Sequence, residues 1–449
     1  MREPFKAYDI RGIFGQNLDE ELAYNIGRAF VTFTKAKEVV VGKDMRETTP
    51  KLFDALARGI TRQGADVLDI GLCTSPMLYF AVGFYKKSAG AMVTASHNPK
   101  QYNGFKFCRE KAIPIGADSG MEDIYNLVQA KKFPNAQHPG RIIRLRIIPD
   151  YVSNIMKMVM KMGGRLGARK LKVVVDTGNG MGGFEFPHFM KKLPKSIEFI
   201  PMYFQLDGNF PNHTPDPLDP KNMADLQQKV REEKADLGIA FDGDADRAGF
   251  VDGQGNIITN DLVGALIAKQ ILRDNPRGRV LYDLRSSWVV KETIESDGGK
   301  ANMCRVGHSF IKRQMRDEDA IFAIELSGHF YFRDNFFAES PVAASLLILE
   351  QLSGTEKPIS ELVKPLRRYF HSGEINFRVD DKDAAIARIE SLYKGLEASH
   401  LDGLRMEGKD FWFNIRKSNT EPLLRLNLEA RSKAKLQEMT ERLRQQIEI

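Results

Sequence analysis

The sequence predicts an α/β protein: three related α/β units followed by a smaller C-terminal α+β unit. Three observations carry this. Strand-like apolar runs alternate with amphipathic stretches, the pattern of helices packed on largely parallel sheets. In each of the first three units one such run ends in a cluster of polar, chemistry-bearing residues. Beyond Tyr369 to Ser372 the alternation gives way to closely spaced strand patterns and a terminal helix.

In the first unit, Glu38-Val39-Val40-Val41 reads as a strand ending at Gly42, and a helical period runs from Pro50 to Gln63. Asp66 to Ile70 is a second strand, and Gly90 to Thr94 a third that runs directly into Ser96. A loop leaving the carboxyl end of a central strand is where ligands sit in such sheets. The second unit opens near residue 150. Leu171 to Asp176 is a buried-strand run, Thr177-Gly178-Asn179-Gly180 turns into a helix, and Ala235 to Phe241 delivers a carboxylate loop. The third has strands at Val280 to Asp283 and Ala320 to Ile324, the latter ending at Glu325. In the last unit, Glu374 to Val379 precedes a helix, Asp410 to Ile415 pairs with Leu423 to Leu428, and a helix closes the chain from Ser432. The expected domains are 1–149, 150–252, 253–368 and 369–449.

A chain of 449 residues exceeds one ordinary core and suggests about two to four domains. Hydrophobic residues at 42% and charged residues at 28% describe a soluble globular protein. No run reaches the roughly 18 apolar residues of a membrane-spanning helix, and Met1 to Lys6 lacks a signal-peptide core, so a cytoplasmic protein without membrane contacts is expected. Cys73, Cys108 and Cys304 are far apart and form no disulfide or zinc pattern; they read as buried small hydrophobes. The net charge of +7 is spread along the chain, with only short clusters such as Lys191-Lys192 and Arg141, Arg144 and Arg146. That distribution argues against nucleic acid and suits a cleft that draws in anionic small molecules.

Four segments carry chemistry. In Thr94-Ala95-Ser96-His97-Asn98-Pro99, Ser96 is either an exposed nucleophile able to carry a phosphoryl group or a helix N-cap. No Gly-x-Ser-x-Gly elbow surrounds it, which disfavours an acyl-transfer hydrolase. Asp242, Asp244 and Asp246 alternate at a spacing that turns three carboxylates toward one point, where they repel unless a cation sits among them. Magnesium suits an oxygen-only site; a calcium-loop-like turn is the alternative, but the glutamate of the calcium hand is missing. Glu325 and Ser327, beside Gly328, offer a carboxylate and a hydroxyl to adjacent sugar hydroxyls, or form an ordinary turn. Arg416, Ser418, Asn419 and Thr420, with Arg425 beyond, make an anion nest or a polar hairpin turn closed by Pro422.

Taken together these segments resemble the α-D-phosphohexomutases, most closely the phosphomannomutase/phosphoglucomutase branch. Lys6 to Gly12, Asn103-Gly104-Phe105-Lys106 and Asp207 to Pro211 extend the resemblance over nearly the whole chain in motif order. It implies a heart-shaped enzyme of four domains, three α/β and one α+β, around a central cleft. Ser96 would be the phosphoserine, and one magnesium ion per chain would be held by Asp242, Asp244 and Asp246 together with Ser96. Arg11, Lys106, Arg247 and His329 would surround the transferring phosphoryl group. Glu325, Ser327, His308 and Arg285 would read the sugar, and Arg416, Ser418, Asn419, Thr420 and Arg425 the phosphate that is not reacting. The implied reaction interconverts hexose 1- and 6-phosphates through a 1,6-bisphosphate, which also serves as activator; Lys106 or His329 would move the proton. A monomer or weak homodimer is the family default.

The chain departs from the pattern at Asp283-Leu284-Arg285-Ser286, where relatives often carry lysine. Arg285 keeps the charge but not the shape. Thr94 and Leu326 tilt away from phosphoglucosamine mutase, the alternative substrate class; a sugar-phosphate phosphatase using Ser96 is the other alternative.

Overall fold

A computed structural model describes residues 3–134, 136–163, 166–167, 169–417 and 423–448. Among them lie four sheets, three mixed and one antiparallel. The strand Glu38–Lys43 shows why the first sheet forms. Val39 and Val41 pack into one apolar cluster and Val40 into another, so both faces are covered by helices. An unbroken valine run is what a strand buried on both faces requires. Helices Glu20–Thr34 and Thr49–Arg62 cover one face, and helix Ser75–Phe84, capped by Thr74, the other.

The first three sheets share one spatial order: return strand, loop-bearing strand, central strand, flanking strand. In the first these are Tyr102–Arg109, Ala89–Val93, Glu38–Lys43 and Asp66–Leu72. In the second they are Ala248–Asp252, Leu237–Phe241, Leu171–Asp176 and Ile197–Met202. In the third they are Phe330–Phe332, Phe322–Ile324, Arg279–Asp283 and Lys300–Cys304. Each loop-bearing strand runs parallel to the central strand and antiparallel to the return strand. The sequence led us to expect largely parallel sheets; the return strands make them mixed. Each functional loop therefore turns tightly between two paired strands, which holds it more firmly than a crossover to a helix would.

The fourth sheet is antiparallel throughout: Phe370–Phe377, Leu424–Ala430, Phe411–Lys417, Leu404–Glu407 and Glu397–Ser399. Its first strand begins four residues earlier than the apolar pattern suggested. Helices Lys382–Leu392 and Lys433–Ile447 pack on one face over Leu424, Leu426 and Leu428. The largest apolar cluster joins the first three units, running from Leu78 through Tyr151, Phe186 and Ile267 to Leu349. The fourth unit keeps its own core and meets the third largely through polar contacts. Trp288 donates its backbone N–H to Glu429 Oε1 at 2.9 Å and its indole N–H to Glu407 Oε1 at 2.7 Å. Arg405 donates to the Leu284 carbonyl. No described helix is long and apolar enough to cross a membrane. All three cysteines are buried and unpaired, and burial pushes the Cys108 thiol up to about 12.

Candidate active site

Three of the four predicted loops converge. Ser96 Oγ donates to Asp242 Oδ2 at 3.1 Å, joining the first unit's loop to the second's. Gly243 permits the approach: a Cβ there would lie 2.3 Å from the Ser96 carbonyl oxygen. Ser96 caps no helix; it occupies the left-handed region at φ +52 with its N–H on Thr94 Oγ1 at 3.0 Å. Nor is it exposed, as its sequence context suggested, because the carboxylate loop closes over it and leaves the residue 1% accessible.

Asp242, Asp244 and Asp246 are buried and present oxygens within 4.8 Å of one another. Asp242 Oδ1 accepts the backbone N–H groups of Asp246 and Arg247, which fixes the turn. Asp244 Oδ2 accepts from Lys106 Nζ at 2.6 Å, and Asp246 Oδ2 from the same ammonium at 2.5 Å. Burial, then the neighbouring Asp246 and Asp244, push the Asp242 carboxyl well above the usual range. Burial acts the same way on Asp246, but Lys106, His329 and Arg247 outweigh it and hold that carboxyl well below. Asp244 Oδ1 is buried with no hydrogen-bond partner. An oxygen-only cluster with an unpartnered buried acceptor fits a hard divalent cation.

Basic groups ring this cluster. Arg247 Nε lies 3.9 Å from both Asp242 Oδ2 and Asp246 Oδ1, without a hydrogen-bond partner. Arg11, on the strand Ile10–Ile13 beside the return strand, binds Asp9 at 2.7 Å and Asn98 Oδ1 in the serine loop. Burial opposes charge on Lys106, but Asp244 and Asp246 raise its pKa far above normal. His329 Nε2 lies 3.2 Å from Asp246 Oδ1, and its Nδ1 lies 3.1 Å from Glu325 Oε2 and 2.9 Å from Ser327 Oγ. Burial lowers its pKa less than Asp246 and Glu325 raise it, and the result is about 9. One imidazolium thus ties the third unit's loop to the carboxylate cluster.

Glu325 is buried and accepts from Tyr331 Oη at 2.6 Å, with Arg285 Nη2 3.7 Å away. His308 heads the helix His308–Asp317, stacks obliquely on Tyr8 at 5.8 Å, and has neither ring nitrogen hydrogen-bonded. Burial, then Lys312, keep it neutral. A neutral, unpartnered imidazole is a free donor–acceptor pair for a hydroxyl. Arg285 grips Asp283 through Nη2 at 2.8 Å and Nε at 3.1 Å, a fork that lysine cannot make.

In the fourth unit Arg416 and Arg425 stand opposite each other across paired strands. Both reach Glu374, at 3.2 and 3.1 Å. Ser418, Asn419 and Thr420 lie outside the described residues.

Three residues of this site escaped the sequence analysis. Arg46 is fully buried and donates to the carbonyls of Ser96, Asn98, Pro99 and Tyr102 at 2.6–3.0 Å. His97 Nδ1 lies 3.2 Å from Ser96 Oγ. Glu374 was read only as the start of a strand. A single arginine or glutamate has no motif around it; for His97, adjacency to the serine was the available signal.

Known proteins resemble the chain over nearly its whole length. Four profiles described as phosphoglucomutase/phosphomannomutase alpha/beta/alpha domains I, II and III and C-terminal domain match residues 2–135, 149–255, 259–369 and 374–446. A phosphomannomutase of Escherichia coli is 40% identical over 437 residues, covering 95% of each chain. One of Methanocaldococcus jannaschii is 40% identical over 443 residues, covering 98% of this chain and 96% of its own. A crystal structure of a phosphoglucomutase/phosphomannomutase family protein from Burkholderia thailandensis superposes with a TM-score of 0.90 at 33% identity, covering 100% of this chain and 97% of the other. With relatives alike over their full length and all four domain profiles in order, the chain belongs to the phosphoglucomutase/phosphomannomutase family.

Proposed function

We propose that this enzyme is a phosphohexomutase that interconverts hexose 1- and 6-phosphates of mannose or glucose, with Ser96 as the phosphoryl carrier. The domains would divide at 149/150, 252/253 and 368/369. The observation that carries the reading is the meeting of Ser96 Oγ with a buried three-carboxylate cluster ringed by Lys106, Arg247 and His329.

Phosphorylated Ser96 would give its phosphoryl group to the free hydroxyl of a hexose monophosphate. The seryl P–O bond breaks as the sugar P–O bond forms, and the hydroxyl proton ends on the seryl oxygen. The resulting 1,6-bisphosphate turns over in the site and returns its other phosphoryl group to Ser96. Asp242, Asp244 and Asp246, with the seryl phosphate, would hold a magnesium ion, which when bound supplies positive charge to the phosphoryl oxygens. Lys106, Arg11 and Arg247 would offset the remaining charge. Lys106 and His329 both hold their proton at neutral pH, so whichever serves would first protonate the departing seryl oxygen and then take the sugar's proton. Glu325, Ser327, His308 and Arg285 would bind the ring hydroxyls, and Arg416, Arg425, Ser418, Asn419 and Thr420 the distal phosphate.

A phosphatase would pass the seryl phosphoryl group to water, whereas a mutase passes it to a sugar hydroxyl. The test is conversion of mannose and glucose 1-phosphates with magnesium and 1,6-bisphosphate present. The parent enzyme should form 6-phosphates without releasing inorganic phosphate, and Ser96→Ala should lower kcat at least about a thousandfold. Stoichiometric phosphate release, or an active Ser96→Ala enzyme, would overturn the proposal.

A further inference from the structure

The fourth sheet places a carboxylate where a phosphate is expected. Its edge strand, Phe370–Phe377, carries a bulge between His371 and Glu374, with Gly373 in the left-handed region at φ +70. Ser372 Oγ pins that bulge by accepting the Leu428 N–H at 3.0 Å. A bulge of this kind re-aims the side chain that follows it. Glu374 stands opposite Asn427, so it shares a sheet face with Arg425 and Arg416.

Its two oxygens are divided between the two arginines: Oε1 lies 3.1 Å from Arg425 Nη1 and Oε2 lies 3.2 Å from Arg416 Nη2. Arg285 Nη1 is 3.9 Å away, but that guanidinium is already committed to Asp283 through two hydrogen bonds. Arg416 is 4% exposed and cannot turn away to water, whereas the Glu374 side chain is 28% exposed and can. One carboxylate thus bridges the buried Arg416 and the partly exposed Arg425. A phosphate monoester dianion matches the pair better and presents the same two-oxygen fork.

We infer that Glu374 is a built-in competitor for the distal-phosphate clamp: it occupies Arg416 and Arg425 when no substrate phosphate is there and must swing out when one binds. This rests on the proposed role of Arg416 and Arg425. It also supplies something the reaction needs. A bisphosphate that turns over within the site has to leave the clamp without leaving the enzyme, and a carboxylate that refills the clamp eases that release. Glu374 would therefore weaken phosphate affinity while sustaining turnover.

Inorganic phosphate binding, measured by calorimetry on the full chain without added magnesium, tests this. Glu374→Gln and Glu374→Ala should each bind phosphate about tenfold more tightly than the parent. Arg416→Ala should bind it at least tenfold more weakly, which assigns the signal to this clamp. In turnover, Glu374→Gln should lower both KM and kcat. Tightening cannot arise from damage to the fold, so the gain separates competition from a structural role. If both Glu374 variants bind phosphate equally or more weakly, or KM rises, the inference fails. If Arg416→Ala binds phosphate as well as the parent does, the clamp assignment beneath it fails instead.

Discussion

Ser96 shows how one residue's chemistry depends on neighbours that have no motif of their own. The hydroxyl is aimed by a left-handed backbone, and that backbone is held by Arg46, whose guanidinium donates to four carbonyls of the serine loop. Arg46 Nε also faces Asp44 at 3.3 Å, so the charge is paired within the core. Lysine at this position would keep the charge but offer one point donor in place of a planar fork. Arg46→Lys should therefore destabilise the protein by about 1–3 kcal/mol and lower kcat by about a hundredfold through a shifted seryl oxygen. Denaturant titration and steady-state kinetics would check the two effects, and KM should move much less than kcat. At this scale the sequence disclosed the residues that sit in runs: Ser96 before His97-Asn98-Pro99, and the alternating aspartates. It did not disclose Arg46, because 50 residues separate it from Ser96 and only the tertiary fold brings them together.

At the scale of elements, the decisive feature is a strand–loop–return-strand unit used three times, with each loop braced by a neighbouring unit. The loop from Glu325 to His329 shows the bracing. Gly328 lies at φ +91, and a Cβ there would meet the Ala248 carbonyl oxygen at 2.5 Å. In return, the Ala248 N–H donates to the Gly328 carbonyl at 3.0 Å. The third unit's loop is thereby docked on the second unit's return strand, directly after Arg247. Gly328→Ala breaks both conditions, backbone conformation and space. It should destabilise the protein by about 1–3 kcal/mol, and it should raise KM for hexose phosphates several-fold by displacing Ser327 and His329. A variant with parent-like thermal midpoint and KM would show that the loop is not braced in this way. The loop-bearing strands were legible because each is a short apolar run that stops abruptly at polar residues. The return strands were not. Tyr102–Arg109 mixes polar residues with phenylalanines: Lys106 reaches the carboxylate cluster, and Asn103, on the other face, donates to Thr49 Oγ1. Chemistry there overrides the apolar pattern by which strands are recognised.

At the scale of the whole molecule, the first three units share one apolar cluster, and a buried acid lies within it. Glu185, on the helix Gly182–Met190, is 2% exposed and accepts from Tyr151 on the helix Ile148–Lys161. Thr74, at the cap of Ser75–Phe84 in the first unit, also hydrogen-bonds to Glu185, so the acid touches elements of two units. Burial raises the Glu185 carboxyl from 4.5 to about 8, although the hydrogen bonds from Tyr151 and Thr74 oppose the shift. The folded protein therefore binds a proton that the unfolded chain releases near 4.5. The favourable contribution is fully present below that value and is lost as pH climbs through about 8. Between pH 5 and 9 the parent should lose on the order of 2–4 kcal/mol of stability from this group. Glu185→Gln keeps the shape and both hydrogen-bonding partners but cannot ionise. Its stability should match the parent's near pH 5 within about 1 kcal/mol, stay flatter to pH 9, and exceed the parent's there. Guanidinium titrations of both proteins at pH 5, 7 and 9 would reveal the crossing. Parallel curves across that range would mean the carboxyl is ionised in the folded core, its charge held by Tyr151 and Thr74.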